Sequence, residues 1–231
     1  MILTYQKIID SANIPAIDAI CRSFPITGVT TNPSIICKEK EDLKKILTGI
    51  RNVITQKRLL QVQAVAKTAE GILAEARAVR LLVGDPLAIK VPVSREGLRA
   101  IPMLKNEGFL VTATAIFSPQ QAMLCACSGA DYVAPYINRF DSICGDGEQL
   151  VHAIVNLFDA SNIDCKILGA SFKNILQVES IMEAGAQSVT IAPELFDGIV
   201  SHPMTDLSLE TFDRHWNEVY GGASIDTLLN A

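Results

Sequence analysis

Two hydrophobic periods alternate along this chain. Short apolar runs rich in Ile, Val and Leu recur, and each gives way to a stretch whose apolar positions repeat every three to four residues. The runs predict strands over about residues 7–10, 26–32, 59–65, 87–93, 110–117, 132–137, 166–171 and 188–192. The stretches between them predict helices from about residue 15, then over 39–54, 68–83, 94–108, 119–129, 148–160 and 174–184, with a longer loop over 138–147. One or two further helices end the chain. Eight strand–helix pairs with no linker and no break in composition predict an α/β fold, a (β/α)8 TIM barrel spanning residues 1–231 as a single domain, with an additional C-terminal helix over about 205–222. The runner-up is an open doubly wound sheet, which places a Gly-rich turn after the first strand. Asp10-Ser11-Ala12-Asn13 is not such a turn, and no G-x-G-x-x-G or P-loop pattern occurs, so no nucleotide or other cofactor is expected.

Composition narrows this picture. Apolar residues make up 49% of the chain and aromatics only 6%, so the core must be aliphatic, as suits strands covered on both faces. The net charge of −5 is spread among interspersed acids and bases, with no basic stripe to engage nucleic acid. No apolar run is long enough to cross a bilayer, and the start lacks the charged-then-apolar order of a secretory leader, so a cytoplasmic protein without membrane contact is expected. The six cysteines are scattered without a C-x-x-C pair, which predicts reduced thiols. None of the three histidines falls at a predicted strand end, so neither a histidine-centred metal site nor a Ser-His-Asp triad is expected.

The chemistry centres on Lys90, the only charge within Leu87-Ala88-Ile89-Lys90-Val91-Pro92-Val93. A lysine in a buried strand lowers its desolvation cost by releasing its proton, and a neutral amine is a nucleophile toward carbonyls, forming a Schiff base. The competing reading is a strand-end lysine that snorkels to water. The neighbouring strands favour the first. Their C-terminal ends, where barrels of this kind carry catalytic groups, deliver Asp10, Asn32, Gln63, Lys90, Thr114, Tyr136 and Ser171. Taken singly, Asp10 could cap a helix, Thr114 could serve as a β-former, and Tyr136 could fill the core.

Together they suit a metal-free cleavage. Lys90 attacks a ketone, and Asp10, the only carboxylate of the set, moves the protons needed to expel water. Tyr136, or a water held by Gln63 and Thr114, removes a hydroxyl proton as the adjacent carbon–carbon bond breaks. Asn32 holds a hydroxyl of the bound fragment. Arg139 and Ser171, at the rim of strands six and seven, suit a phosphate dianion, with Lys173 as a second cation. For Arg139 the alternative is a surface ion pair with Asp141.

The stretches Gly28-Val29-Thr30-Thr31-Asn32-Pro33-Ser34, Ile89-Lys90-Val91-Pro92, Tyr132-Val133-Ala134-Pro135-Tyr136-Ile137-Asn138-Arg139 and Ala170-Ser171-Phe172-Lys173 resemble the transaldolase family, and within it the small fructose-6-phosphate aldolase branch. The likeness runs from Asp10 to about Trp216. It implies a class I Schiff-base mechanism acting on a dihydroxyacetone unit of a sugar phosphate. Lys90 then matches the Schiff-base lysine, Asp10 the acidic residue of the first strand, Asn32 the asparagine that binds the dihydroxyacetone portion, and Thr114 the threonine that positions the catalytic water. Arg139 and Ser171 match the phosphate-binding pair, and Thr31 and Ala134 complete the expected substrate-binding set.

Transaldolases proper usually carry Glu at the position of Gln63 and Phe at that of Tyr136, so Gln with Tyr resembles the aldolase branch. Gln61 stands where that branch has an aromatic residue. The resemblance also implies a homo-oligomer, a pentamer or decamer, in which the C-terminal helix packs on a neighbour through Leu207, Leu209, Phe212 and Trp216. The expected activity is formation or cleavage of fructose 6-phosphate. Transfer of dihydroxyacetone between sugar phosphates, in the manner of pentose phosphate metabolism, is the first alternative. A non-catalytic sugar-phosphate-binding barrel is the second.

Overall fold

The computed structural model describes residues 5–230. Within them the chain divides into two compact units, one up to Leu195 and one from Phe196 onward. The first unit is a closed barrel of eight parallel strands in sequential order. The strands are β1 (Gln6–Asp10), β2 (Gly28–Thr30), β3 (Leu59–Gln63), β4 (Leu87–Pro92), β5 (Leu110–Ile116), β6 (Tyr132–Pro135), β7 (Lys166–Gly169) and β8 (Ser188–Ile191). Closure is made by β1 against β8, with Ile8 opposite Thr190. The helices between the strands are α1 (Ile14–Ser23), α2 (Pro33–Lys38), α3 (Leu43–Ile54), α4 (Ala69–Val83), α5 (Arg95–Asn106), α6 (Pro119–Cys127), α7 (Ile137–Asp141), α8 (Gly147–Ala160) and α9 (Ile175–Glu183).

Local chemistry starts the helices where the chain leaves the rim. Asn13, Asn32, Asp42, Thr68, Ser94, Ser118, Asp146 and Asn174 each accept a backbone N–H with their side chains and cap the helix that follows. The outward strand residues are aliphatic and fully covered, Val29, Ile89, Val111, Val133 and Val189 among them. Two strand glycines have steric reasons. A Cβ on Gly28 would sit 2.4 Å from the Leu59 carbonyl oxygen, and one on Gly169 would sit 2.9 Å from the Phe172 ring.

Three predicted elements are corrected. The second strand ends at Thr30 rather than at residue 32, because Asn32 turns the chain as the cap of α2, with Pro33 at its first position. The helix predicted over 39–54 is α3 alone and starts later, at Leu43, because α2 occupies residues 33–38 ahead of it, and the predicted 138–147 loop begins with the short α7.

The second unit contains α10 (Phe196–Val200), α11 (Pro203–Tyr220) and α12 (Ile225–Leu229). The Trp216 ring packs at 4.6 Å from that of Tyr220, and its Nε1 donates to the Ala223 carbonyl at 2.8 Å. Leu209, Phe212 and Trp216 fall on one side of α11 by their spacing, whereas Leu207 lies two positions from Leu209 and so on another side. No helix among the described residues is long and apolar enough to cross a membrane.

Candidate active site

Lys90 is the fourth residue of β4, deeper than a strand end, and only 4% exposed. A snorkelling lysine is thereby excluded. Its Nζ donates to the Thr31 carbonyl at 2.9 Å, and no carboxylate among the described residues forms an ion pair with it. Thr31 is held in turn by the Gln61 carbonyl, which accepts both its N–H (2.9 Å) and its hydroxyl (3.2 Å).

Lys90 lines a cavity of about 470 Å³ together with Asp10, Asn32, Tyr136, Arg139 and Ser171. Six of the ten sequence-predicted site residues therefore meet there. Lys173 also lines it. Asp10 closes β1 but caps no helix, since Asn13 performs that role for α1. Burial pushes the Lys90 amine below the ordinary lysine range, a shift that the Asp10 carboxylate opposes. Burial likewise raises Asp10, against the lowering effects of Lys90, the Thr30 hydroxyl and Arg139 and with a further raising effect from Glu194. Both shifts favour a neutral amine beside a carboxylic acid.

The remaining four predicted residues stand back from this cavity. Thr114 acts on it through Tyr136, whose hydroxyl accepts from the Thr114 hydroxyl at 3.1 Å. Thr31 supplies the carbonyl already described. Gln63 is opposite Lys90 in the β3–β4 register, yet it lines two neighbouring cavities, and its Oε1 is buried without a hydrogen-bond partner among the described residues. Ala134 is 1% exposed in the hydrophobic cluster of Ile8, Tyr132 and Leu168, and it does not line the cavity.

Tyr136 is held on three sides. Its ring meets Phe117 edge to face at 5.7 Å, and the Arg139 guanidinium lies 4.9 Å from its centroid. Arg139 forms no ion pair with Asp141, which instead accepts from the Gly147 N–H and from Gln177 Nε2. Backbone strain collects at this rim. Ala115 has φ 60°, where the β5–β6 register slips between Thr114 and Ile116, and Ser171 has φ 66° in the turn before α9. Bulges and left-handed residues of this kind re-aim side chains at the ends of barrel strands.

Sequence reasoning passed over Thr30, Thr190 and Glu194. The Thr30 hydroxyl donates to Asp10 Oδ1 at 2.8 Å and lies 2.5 Å from the Thr190 hydroxyl. Thr190 and Glu194 line the cavity. A threonine inside a strand reads as a β-former, and only the closure of β8 on β1 reveals a different role.

The chain resembles solved barrels along most of its length. It matches thiamine phosphate pyrophosphorylase from Pyrococcus furiosus with a TM-score of 0.59 and 12% identity, covering 82% of this chain and 85% of that one. It matches a putative fructose-1,6-biphosphate aldolase from Coccidioides immitis with a TM-score of 0.55 and 18% identity, covering 97% and 82%. Identities this low establish a shared fold. The family-level match is more specific: the transaldolase/fructose-6-phosphate aldolase family model aligns with residues 7–226, and the chain belongs to that family.

Proposed function

We propose that the protein is a class I aldolase that cleaves or forms fructose 6-phosphate through a Schiff base on Lys90. The observation that carries this reading is a desolvated amine, 4% exposed, that shares a polar cavity with the carboxyl of Asp10. The Lys90 amine attacks the substrate ketone carbon, and Asp10 passes protons as the carbinolamine loses water and becomes an iminium. The C3–C4 bond then breaks. Its electron pair flows into the iminium to give an enamine, while the proton of the C4 hydroxyl passes, through the Tyr136 hydroxyl or a water beside it, to the Asp10 carboxylate left by the dehydration. Glyceraldehyde 3-phosphate departs. Protonation of the enamine at C3 and hydrolysis return free dihydroxyacetone and the Lys90 amine.

Asn32 is suited to hold a hydroxyl of the dihydroxyacetone portion, and Arg139 with Ser171 to hold the phosphate. Tyr136 supports the aldolase branch, because a phenol presented by Thr114 can exchange a proton with the water that hydrolyses the intermediate, which a phenyl ring cannot do. The exposed Leu209 and Phe212 on α11 agree with a homo-oligomer.

The test is a partition experiment. Fructose 6-phosphate is supplied with and without erythrose 4-phosphate, and free dihydroxyacetone is quantified. An aldolase releases dihydroxyacetone at a similar rate in both. A transaldolase releases little and passes the unit to the acceptor, and a binding barrel releases none.

A further inference from the structure

We propose that Thr190, acting through Thr30, is a positioning residue that holds Asp10 Oδ1 as a hydrogen-bond acceptor and leaves Oδ2 to exchange protons with the substrate. The proposal rests on the Schiff-base reading above and assigns a direction to the proton traffic within it. Asp10, Thr30 and Thr190 come from three adjacent strands, with Asp10 opposite Thr30 in the β1–β2 register and Thr190 joined to β1 across the barrel closure. Thr30 is fully buried and Thr190 is 2% exposed. The Thr30 hydroxyl has one proton, and it goes to Asp10 Oδ1 at 2.8 Å. Its oxygen then offers only lone pairs to Thr190, 2.5 Å away, so Thr190 must be the donor of that contact.

The chain of hydrogen bonds therefore runs from Thr190 to Thr30 to Asp10. Buried chains of this kind polarise each successive donor. While the relay is in place, Oδ1 is occupied as an acceptor and the mobile proton resides on Oδ2. The charged groups that act on Asp10 are Lys90 from β4, Arg139 from α7 and Glu194 from the turn after β8. Among the described residues, Thr30 is the one side chain that donates a hydrogen bond to it.

The experiment follows the Asp10 carboxyl carbon by 13C NMR through a pH titration, with Asp10→Asn identifying the resonance. In parallel, the rate of borohydride-trapped adduct formation with dihydroxyacetone is measured. Thr30→Val is expected to raise the Asp10 midpoint by about one pH unit and Thr190→Val by about half a unit, since each removes or weakens a donor to a charged group. Trapping slows several-fold in Thr190→Val, and Thr190→Ser restores both readouts. A Thr190→Val protein that titrates and traps like the wild type overturns the proposal. If that variant does not fold, Thr190→Cys, which keeps the volume but substitutes a weak S–H donor, takes its place in the same comparison. A wild-type protein that yields no adduct removes the Schiff-base reading, while the Asp10 titration still decides the relay.

Discussion

Among the described residues of the barrel two cations are buried, one toward each end, and they meet opposite fates. Arg51 sits at the end where strands begin and is 5% exposed. Its guanidinium donates to the carbonyls of Thr55 (2.8 Å), Arg58 (3.0 Å) and Pro86 (2.7 Å), tying α3 to the starts of β3 and β4. Lys90 sits toward the other end and donates to the single carbonyl of Thr31. Burial pushes both groups toward the neutral form. An arginine cannot respond, because its guanidinium stays charged at any working pH, so its only remedy is hydrogen bonds. An amine can respond by releasing a proton. A buried arginine among carbonyls is thus a strut, and a buried lysine beside a cavity is a reagent.

Exchanging the two side-chain chemistries tests that contrast most severely. Lys90→Arg keeps a cation but removes the titratable amine, and turnover of fructose 6-phosphate is expected to fall by at least about 10³-fold. A variant within tenfold of wild type would show that charge alone suffices. Arg51→Lys does the reverse. A compact ammonium cannot span three carbonyls, so urea denaturation should show a loss of about 2–4 kcal/mol while the rate per folded molecule stays within about twofold. An unchanged denaturation midpoint would contradict the strut.

Tyr136→Phe probes the rim more gently. It removes the acceptor of the Thr114 hydroxyl and the phenol proton, and the ratio of transfer to release of dihydroxyacetone should rise about tenfold. An unchanged ratio would leave Tyr136 with a packing role. The smallest expected effect is on pH dependence. Adduct formation should rise with pH through a midpoint below the free-lysine value of 10.5. Between the two values the unfolded chain binds the extra proton, so stability rises with pH in that window, and Lys90→Met should lack this slope. A midpoint at the free-lysine value would mean that burial does not act on the amine.

Much of this was legible in the sequence, for physical reasons. A charge isolated in an aliphatic run has no polar neighbour to explain it, so Lys90 stood out, and short apolar runs marked all eight strands. Asp10, Asn32, Tyr136 and Ser171 line one cavity with Lys90, as expected where barrels place polar groups at strand ends. Gln63 and Ala134 do not line the cavity that holds Lys90, because strand position gives a residue's height along the barrel but not the cavity its side chain enters. Thr30 and Thr190 were missed because 160 residues separate two hydroxyls that only barrel closure brings together. Arg51 reads as one more polar position on an amphipathic helix, and nothing local shows that three carbonyls await it.

The whole proposed cycle depends on a covalent bond between the Lys90 amine and a ketose. Borohydride reduction of the protein with dihydroxyacetone, followed by peptide mass mapping, tests it most directly. A substrate-dependent adduct is expected on the peptide containing Lys90 and on no other lysine. An unmodified Lys90 in a sample that turns over substrate would contradict it.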